Sequence, residues 1–204
     1  IELDLEIVQA GRDYFALDEP NINVIIGDGR YELNRLPGDY DLITIDAYKV
    51  PYIPWHLTTR QFFEEVDAQL AADGVVAVNV GRAPEDRRLV EAMTATMATV
   101  FPSIHAVDVP GALNTILIAT RQPTSDANLQ RNAERLSAAT SGPAVAADGL
   151  LLAVFDVAAA NLVPATASEL VFTDERAPLE TLVDSLVLRY LLQEGPEGLP
   201  GLSG

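Results

Sequence analysis

Apolar residues recur along this chain with two alternating periods. The runs "VIIG" (24–27), "LITI" (42–45) and "VVAV" (75–78) are short and unbroken, as expected of strands covered on both faces. Between them the spacing changes. "LEIVQAGRDYF" carries Leu5, Val8, Tyr14 and Phe15 at roughly helical intervals, "GRYELNRL" reads as a short helix, and "TTRQFFEEVDAQLA" as a longer one. Thr58 with Gln61 fits a capping box at the start of that helix, and Asp73-Gly74 reads as its end. "EDRRLVEAMTATMATVF" predicts a further helix, then "IHAVDV" and "NTILIATR" two strands joined through the Pro-Gly turn of "VPGALN". With "IELD" as a strand end at the start, the order is βαβαβαβαββ. It predicts a mainly parallel sheet with helices on both faces and an antiparallel hairpin at its end.

An edge hairpin on a parallel sheet marks the class I methyltransferase-like variant of the Rossmann-type α/β fold, which is the fold class expected here. Residues 1–122 predict its nucleoside-binding domain. After Thr120 the texture turns polar and Ala-rich, and residues 123–192 predict a helical extension packed on that domain. One helix is expected near Leu150 to Leu162, and another over "LETLVDSLVLRYLLQ", with Leu182, Leu186 and Tyr190 on one face. The Gly/Pro-rich stretch 193–204 reads as a disordered tail. "GLLLAVFDVAAANLV" is interrupted by Asp156 and Asn161 and falls short of the roughly 20 apolar residues of a membrane helix. It reads as a buried helix of a soluble domain. Ile1 already resembles the inside of a strand, so the expectation is a fragment whose N-terminal part is missing.

Composition narrows the function classes. Of 204 residues, 49% are hydrophobic and 21% charged, with a net charge of -17. So acidic a chain lacks the clustered Lys and Arg that nucleic-acid phosphates require. Its field suits a cationic substrate, and equally a plain solubility surface. The absence of Cys excludes disulfides and thiolate catalysis. The two histidines, His56 and His105, have no ligand-like spacing, so no metal is expected. A cytoplasmic location is the expectation, either as a free protein or as the cytoplasmic domain of a membrane protein.

In doubly wound sheets, ligands bind beyond the carboxyl ends of the strands. Those ends carry Glu2 and Asp4, Asp28-Gly29, Asp46, and Asn79 with Gly81. Glu2 suits the two hydroxyls of a nucleoside ribose, and Asp4 the N-cap of the following helix. Asp28 can accept from an exocyclic amine while Gly29 lets backbone approach a flat base; Asp28 can equally cap "GRYELNRL". Asp46 can take a proton from an attacking amine or hold an ammonium, and at the end of an apolar strand it is expected to be poorly solvated on one side. Its other reading is a loop-bracing carboxylate. His56 stands as a base or a loop brace. Tyr48, Tyr52 and Trp55 stand as pocket walls or a hydrophobic plug.

The segments "IELDLEIVQAGRDYF", "VIIGDGRYELNRL", "YDLITIDAY" and "DGVVAVNV" resemble the spermidine synthase (polyamine aminopropyltransferase) family. "DAYKVPYIPWHLTTRQFF", "NVGRAPEDRRLVEAM", "NTILIATRQPT" and "FTDERAPLETL" are similar to bacterial spermidine-synthase-like domains, some fused behind a membrane transporter-like region. The resemblance covers nearly all of residues 1–192. It implies aminopropyl transfer from decarboxylated S-adenosylmethionine to a small amine or polyamine, without a metal. Glu2 would hold the ribose, Asp28 and Gly29 the adenine side, and Asp46 would orient and deprotonate the amine. Tyr48, Lys49, Tyr52 and His56 would surround the acceptor. Lys49 stands where the family carries a second acid. Methyl transfer from S-adenosylmethionine and a non-catalytic nucleoside- or polyamine-sensing domain are the alternatives. A homodimer and an upstream membrane region are the expected partners of such a chain.

Overall fold

The computed structural model describes residues 1–48, 52–139 and 145–194. In order it contains α1 (Leu5–Phe15), α2 (Gly29–Leu33), β1 (Tyr40–Ile45), a 3-10 turn (Trp55–Leu57), α3 (Arg60–Gln69), β2 (Leu70–Gly81) and α4 (Arg88–Met97). The hairpin strands β3 (Ser103–Asp108) and β4 (Asn114–Thr120) follow, then α5 (Asp126–Ala139), α6 (Val145–Ala160), β5 (Leu162–Val163) and α7 (Leu179–Glu194).

The sheet runs β1-β2-β4-β3-β5. β1 and β2 are parallel, with Ile45 opposite Val78, while β2–β4, β3–β4 and β3–β5 are antiparallel. The hairpin therefore folds back to insert its second strand beside β2. The result is a mixed sheet, where the helix–strand alternation predicts a mainly parallel one. "IELD" and "INVIIGD" contribute a single parallel bridge, Glu2 to Ile26, in place of full strands. Two short segments paired only with each other hold few ladder bonds, and such a pair is marginal on its own.

Two helix boundaries differ from the sequence pattern. The cap of α3 is Thr59, whose hydroxyl accepts from the Phe62 amide, while Thr58 closes the preceding 3-10 turn by donating to the Trp55 carbonyl. α3 then passes at Leu70 straight into β2, so Asp73-Gly74 lies within the strand. Gly74 is required there by close approach: a Cβ would stand 2.9 Å from the Tyr40 carbonyl and 2.8 Å from Leu70 Cβ. The register of β1 against β2 slips at this point.

β2 alternates in burial, and Val76, Val78 and Val80 point into a core shared with Leu117 and Ala119 of β4. Phe62, Phe63 and Val66 of α3, Met93 and Met97 of α4, and Val183 and Leu186 of α7 complete it. On the opposite face, Leu129 of α5 and Ala158 of α6 line one cavity with Val107 and Ile118. Of the apolar positions on α1, only Val8 is buried; Leu5, Tyr14 and Phe15 are exposed. α6 also departs from its expectation as a buried helix: Leu150, Val154 and Val157 face outward. Its contacts are with α5 and β3. Among the described residues no helix is long and apolar enough to cross a membrane. The tail from 195 onward lies outside the described residues.

The segment before α7 is tied in by a buried hydroxyl. Thr96 donates to the Ala92 carbonyl and accepts from the Phe172 amide, with Thr96 and Phe172 both fully buried. Thr96→Val is expected to cost about 1–3 kcal/mol, because it strands the Phe172 N–H away from water. Urea unfolding checks this; an unchanged midpoint would show that the amide finds another acceptor.

Candidate active site

The bridge at Glu2 brings two of the predicted acids to one place. The Glu2 amide donates to Ile25, and the Gly27 amide returns a bond to the Glu2 carbonyl at 3.0 Å. Glu2 Oε1 accepts from the Asp4 amide at 2.9 Å, and Asp4 in turn caps α1 through the Glu6 amide. Asp28 caps α2: its Oδ1 accepts from the Tyr31 amide at 2.9 Å. Its Oδ2 accepts from His56 Nε2 at 2.9 Å, so His56 braces the Trp55–Leu57 turn against the α2 terminus. Burial would raise the Asp28 carboxyl, but the Tyr31 amide and His56 outweigh it and hold it below the usual carboxylate range. Gly29 begins α2 with open surroundings, since a Cβ there would meet only Leu57, at 4.0 Å.

Asp46 stands at the end of β1 as the sequence places it, but it is exposed and not half-shielded. The strand ends in front of it are polar, and its partner is an amide. Asn79 Nδ2 donates to Asp46 Oδ1 at 3.0 Å, and Asn114 Nδ2 donates to Asn79 Oδ1 at 2.8 Å. A row of side chains thus crosses β4, β2 and β1 at their ends. Beside it, Tyr48 donates to the Asn79 carbonyl at 2.9 Å and accepts from the Gly81 amide at 2.8 Å. Burial foremost pushes the Tyr48 phenol up to about 12, so near neutral pH it keeps its proton and clasps the segment after β1 to the end of β2. Tyr52 donates to Asp184 of α7, a bond that raises its phenol. Lys49 lies outside the described residues.

Two groups result: Asp28 and His56 are bonded to each other, with Glu2 joined through its backbone to the segment just before Asp28, and Asp46 and Tyr48 meet through Asn79. Tyr52 turns instead to α7. Among the described residues no cluster of three or more His, Asp or Glu could hold a metal ion. Asn79 is visible in the sequence as a strand-end polar residue. Asn114 carries no local signal, because it meets Asn79 only once the hairpin has folded back.

Arg30 is a further residue that the sequence pattern does not single out. It donates to both oxygens of Glu65 (2.7 and 2.6 Å), to both of Asp174 (2.9 Å each), and to the His56 carbonyl. This joins α2, α3 and the segment before α7 under the His56 turn. Arg30 holds the carboxyls of Glu65 and Asp174 below their ordinary values, and Arg88 does the same to Asp86. Groups depressed in the folded state add stability that is present above their unfolded pKa and lost as pH falls through the folded one. Stability to urea is therefore expected to fall steeply below about pH 4. If urea midpoints at pH 5 and pH 3 coincide, these ion pairs contribute nothing.

A sheet of this order, with a fold-back hairpin and Asp46 at the end of β1, defines a class I methyltransferase-like fold. A profile of the spermine/spermidine synthase domain matches residues 1–131, and the chain belongs to that family. It is 28% identical over 221 residues to a "Probable polyamine aminopropyl transferase" of Bifidobacterium longum, covering 99% of this chain and 49% of that protein. It is 32% identical over 146 residues to a polyamine aminopropyltransferase of Vibrio vulnificus, covering 68% of this chain and 48% of the relative. The chain thus spans about half the length of these curated relatives. A crystal structure of a probable spermidine synthase from Corynebacterium glutamicum aligns with a TM-score of 0.55 at 23% identity, covering 70% of this chain and 53% of that one. Human methyltransferase-like protein 13 in complex with SAH aligns at 0.59 and 22% identity, covering 70% of each chain. At these identities the two structures speak for the fold.

Proposed function

We propose that the chain carries the donor and acceptor sites of an aminopropyltransferase acting in polyamine biosynthesis in the cytoplasm. Glu2 accepts the ribose hydroxyls of decarboxylated S-adenosylmethionine, and Asp28 with Gly29 meets the adenine side. Asp28 has lone pairs beyond those used by Tyr31 and His56, so it can accept an exocyclic amine without releasing either. Tyr52 and His56 sit on the loop that follows Asp46. The amine nitrogen attacks the methylene carbon beside the sulfonium, the carbon–sulfur bond breaks, and its electrons remain on sulfur in methylthioadenosine. The proton lost by the new ammonium passes to Asp46.

The observation that carries this reading is Asp46 itself: an exposed strand-end carboxylate aimed by the Asn114–Asn79 row, in a member of this family. Calorimetry with decarboxylated and ordinary S-adenosylmethionine tests it. The decarboxylated donor is expected to bind, and Glu2→Gln to weaken it about 10-fold or more, the scale of hydrogen bonds to a charged group. Binding of the ordinary donor alone would transfer the site to methyl-transfer chemistry. Binding of neither would leave no donor site and overturn the proposal.

A further inference from the structure

Three aromatic residues of the loop after β1 read in the sequence as pocket walls or a hydrophobic plug, and the structure separates them. Tyr48 and Tyr52 pack against the core as half-buried side chains. Trp55, the single Trp of the chain, is 42% exposed and belongs neither to the core nor to the side chains packed on it. An indole is among the largest apolar groups a chain can bury, so a plug would place it inside.

The exposure does not come from a loose backbone. The Trp55 carbonyl accepts from the Thr58 amide at 3.0 Å and from the Thr58 hydroxyl at 2.7 Å. Arg30 Nη1 donates to the next carbonyl, that of His56, at 3.1 Å, and the Leu57 side chain is buried. The indole therefore stands out from a fixed base. Among the described residues its ring contact is with the His56 imidazole, edge to face, with centroids 5.9 Å apart and planes at 81°. His56 Nε2 in turn is bonded to Asp28 Oδ2 at 2.9 Å. Gly29 follows Asp28 with open space around it, as a Cβ there would meet only Leu57 at 4.0 Å. A carboxylate, a stretch of bare backbone and an exposed indole are thus gathered around one turn. A purine uses these surfaces together, offering its exocyclic amine at the edge and its π-face for stacking.

We infer that Trp55 is a binding residue for the donor, its indole stacking on the adenine whose amine Asp28 accepts. The inference rests on the reading of Asp28 and Gly29 as the adenine side. Asp28 reads the edge of the base, and Trp55 adds affinity from its face. Decarboxylated S-adenosylmethionine, the ordinary donor and methylthioadenosine share that base, so Trp55 sets the hold on the nucleoside and not the choice among them.

Methylthioadenosine titrated into the wild-type chain tests this, followed by calorimetry and by indole emission, which reports on Trp55 alone because the chain has no other Trp. Emission is expected to change along the same saturation curve as the heat. Trp55→Ala is expected to weaken binding about tenfold, within the range for losing an aromatic that stacks on a base, and Trp55→Phe to recover most of that loss. The indole lies outside the core, so the urea midpoint of Trp55→Ala is expected to stay at the wild-type value; a lowered midpoint would make Trp55 a brace of the turn and overturn the inference. Binding by calorimetry with silent emission, unchanged affinity in Trp55→Ala, or equal losses in the Ala and Phe variants also overturns it, and each leaves the adenine reading of Asp28 standing. If methylthioadenosine does not bind the wild type by either probe, the adenine reading itself falls, and the stacking role with it.

Discussion

Asp46→Asn is expected to lower kcat by about a thousandfold while leaving the KM for the donor nearly unchanged. That is within the range of a lost general base. The substitution keeps the size and one hydrogen-bonding oxygen of the side chain but removes its capacity to take the amine proton. Asp46 is exposed and outside the core, so folding is expected to be untouched. Initial rates with decarboxylated S-adenosylmethionine and an amine acceptor separate the two constants. A variant with wild-type turnover would show that the proton leaves by another route, and Asp46 would lose its catalytic role. A raised KM with unchanged kcat would make it a binding residue.

The largest expected loss of stability is at Phe63. It is fully buried on α3, with ring centroids 5.5 Å from Phe62 and 6.5 Å from Phe101, the latter edge to face. Phe63→Ala removes a ring at the junction of α3 with the core and is expected to cost about 3–5 kcal/mol. With a slope of roughly 2 kcal/mol per molar urea, the midpoint falls by about 2 M. Phe63→Leu, which keeps most of the volume, is expected to lose less than about 1.5 kcal/mol. A similar loss in both variants would indicate that ring geometry, and not volume, sets the cost. The consequence reaches the site, because α3 also holds Glu65, to which Arg30 anchors α2 and its cap Asp28.

Residues whose role is decided locally were legible in the sequence. α1 has the bounds and the Asp4 cap that its sequence assigns, although Val8 alone of its apolar positions is buried, and the Pro-Gly turn between β3 and β4 forms with Gly111 at φ 72°. Asp46 follows the end of β1 as the pattern assigns, and Asp28 takes the capping role that was its other reading, at the start of α2. What was not legible depends on partners distant in sequence. The cap shifted from Thr58 to Thr59 because Thr59 also donates to Asp174, 115 residues later. Asp73-Gly74 reads as a helix end because nothing local reveals that Gly74 must fit against Tyr40. The helix stops earlier, where pairing with β1 takes over. Arg30 and Asn114 likewise acquire their roles from neighbours that only the folded chain supplies. Helical spacing on α1 and α6 reported an apolar face but not what covers it.

The row Asn114–Asn79–Asp46 has one more property. An amide can be turned end for end at almost no steric cost, so a line of amides has no intrinsic sense of direction. An ionised carboxylate can only accept. Asp46 therefore dictates that Asn79 presents its nitrogen, which leaves the Asn79 oxygen to receive Asn114. A single charge sets the polarity of the whole line. In Asp46→Asn three amides stand in series and nothing selects between the two senses. Doubled side-chain amide resonances at Asn79 and Asn114 would be the spectroscopic trace of that lost choice, in a variant whose fold is otherwise intact.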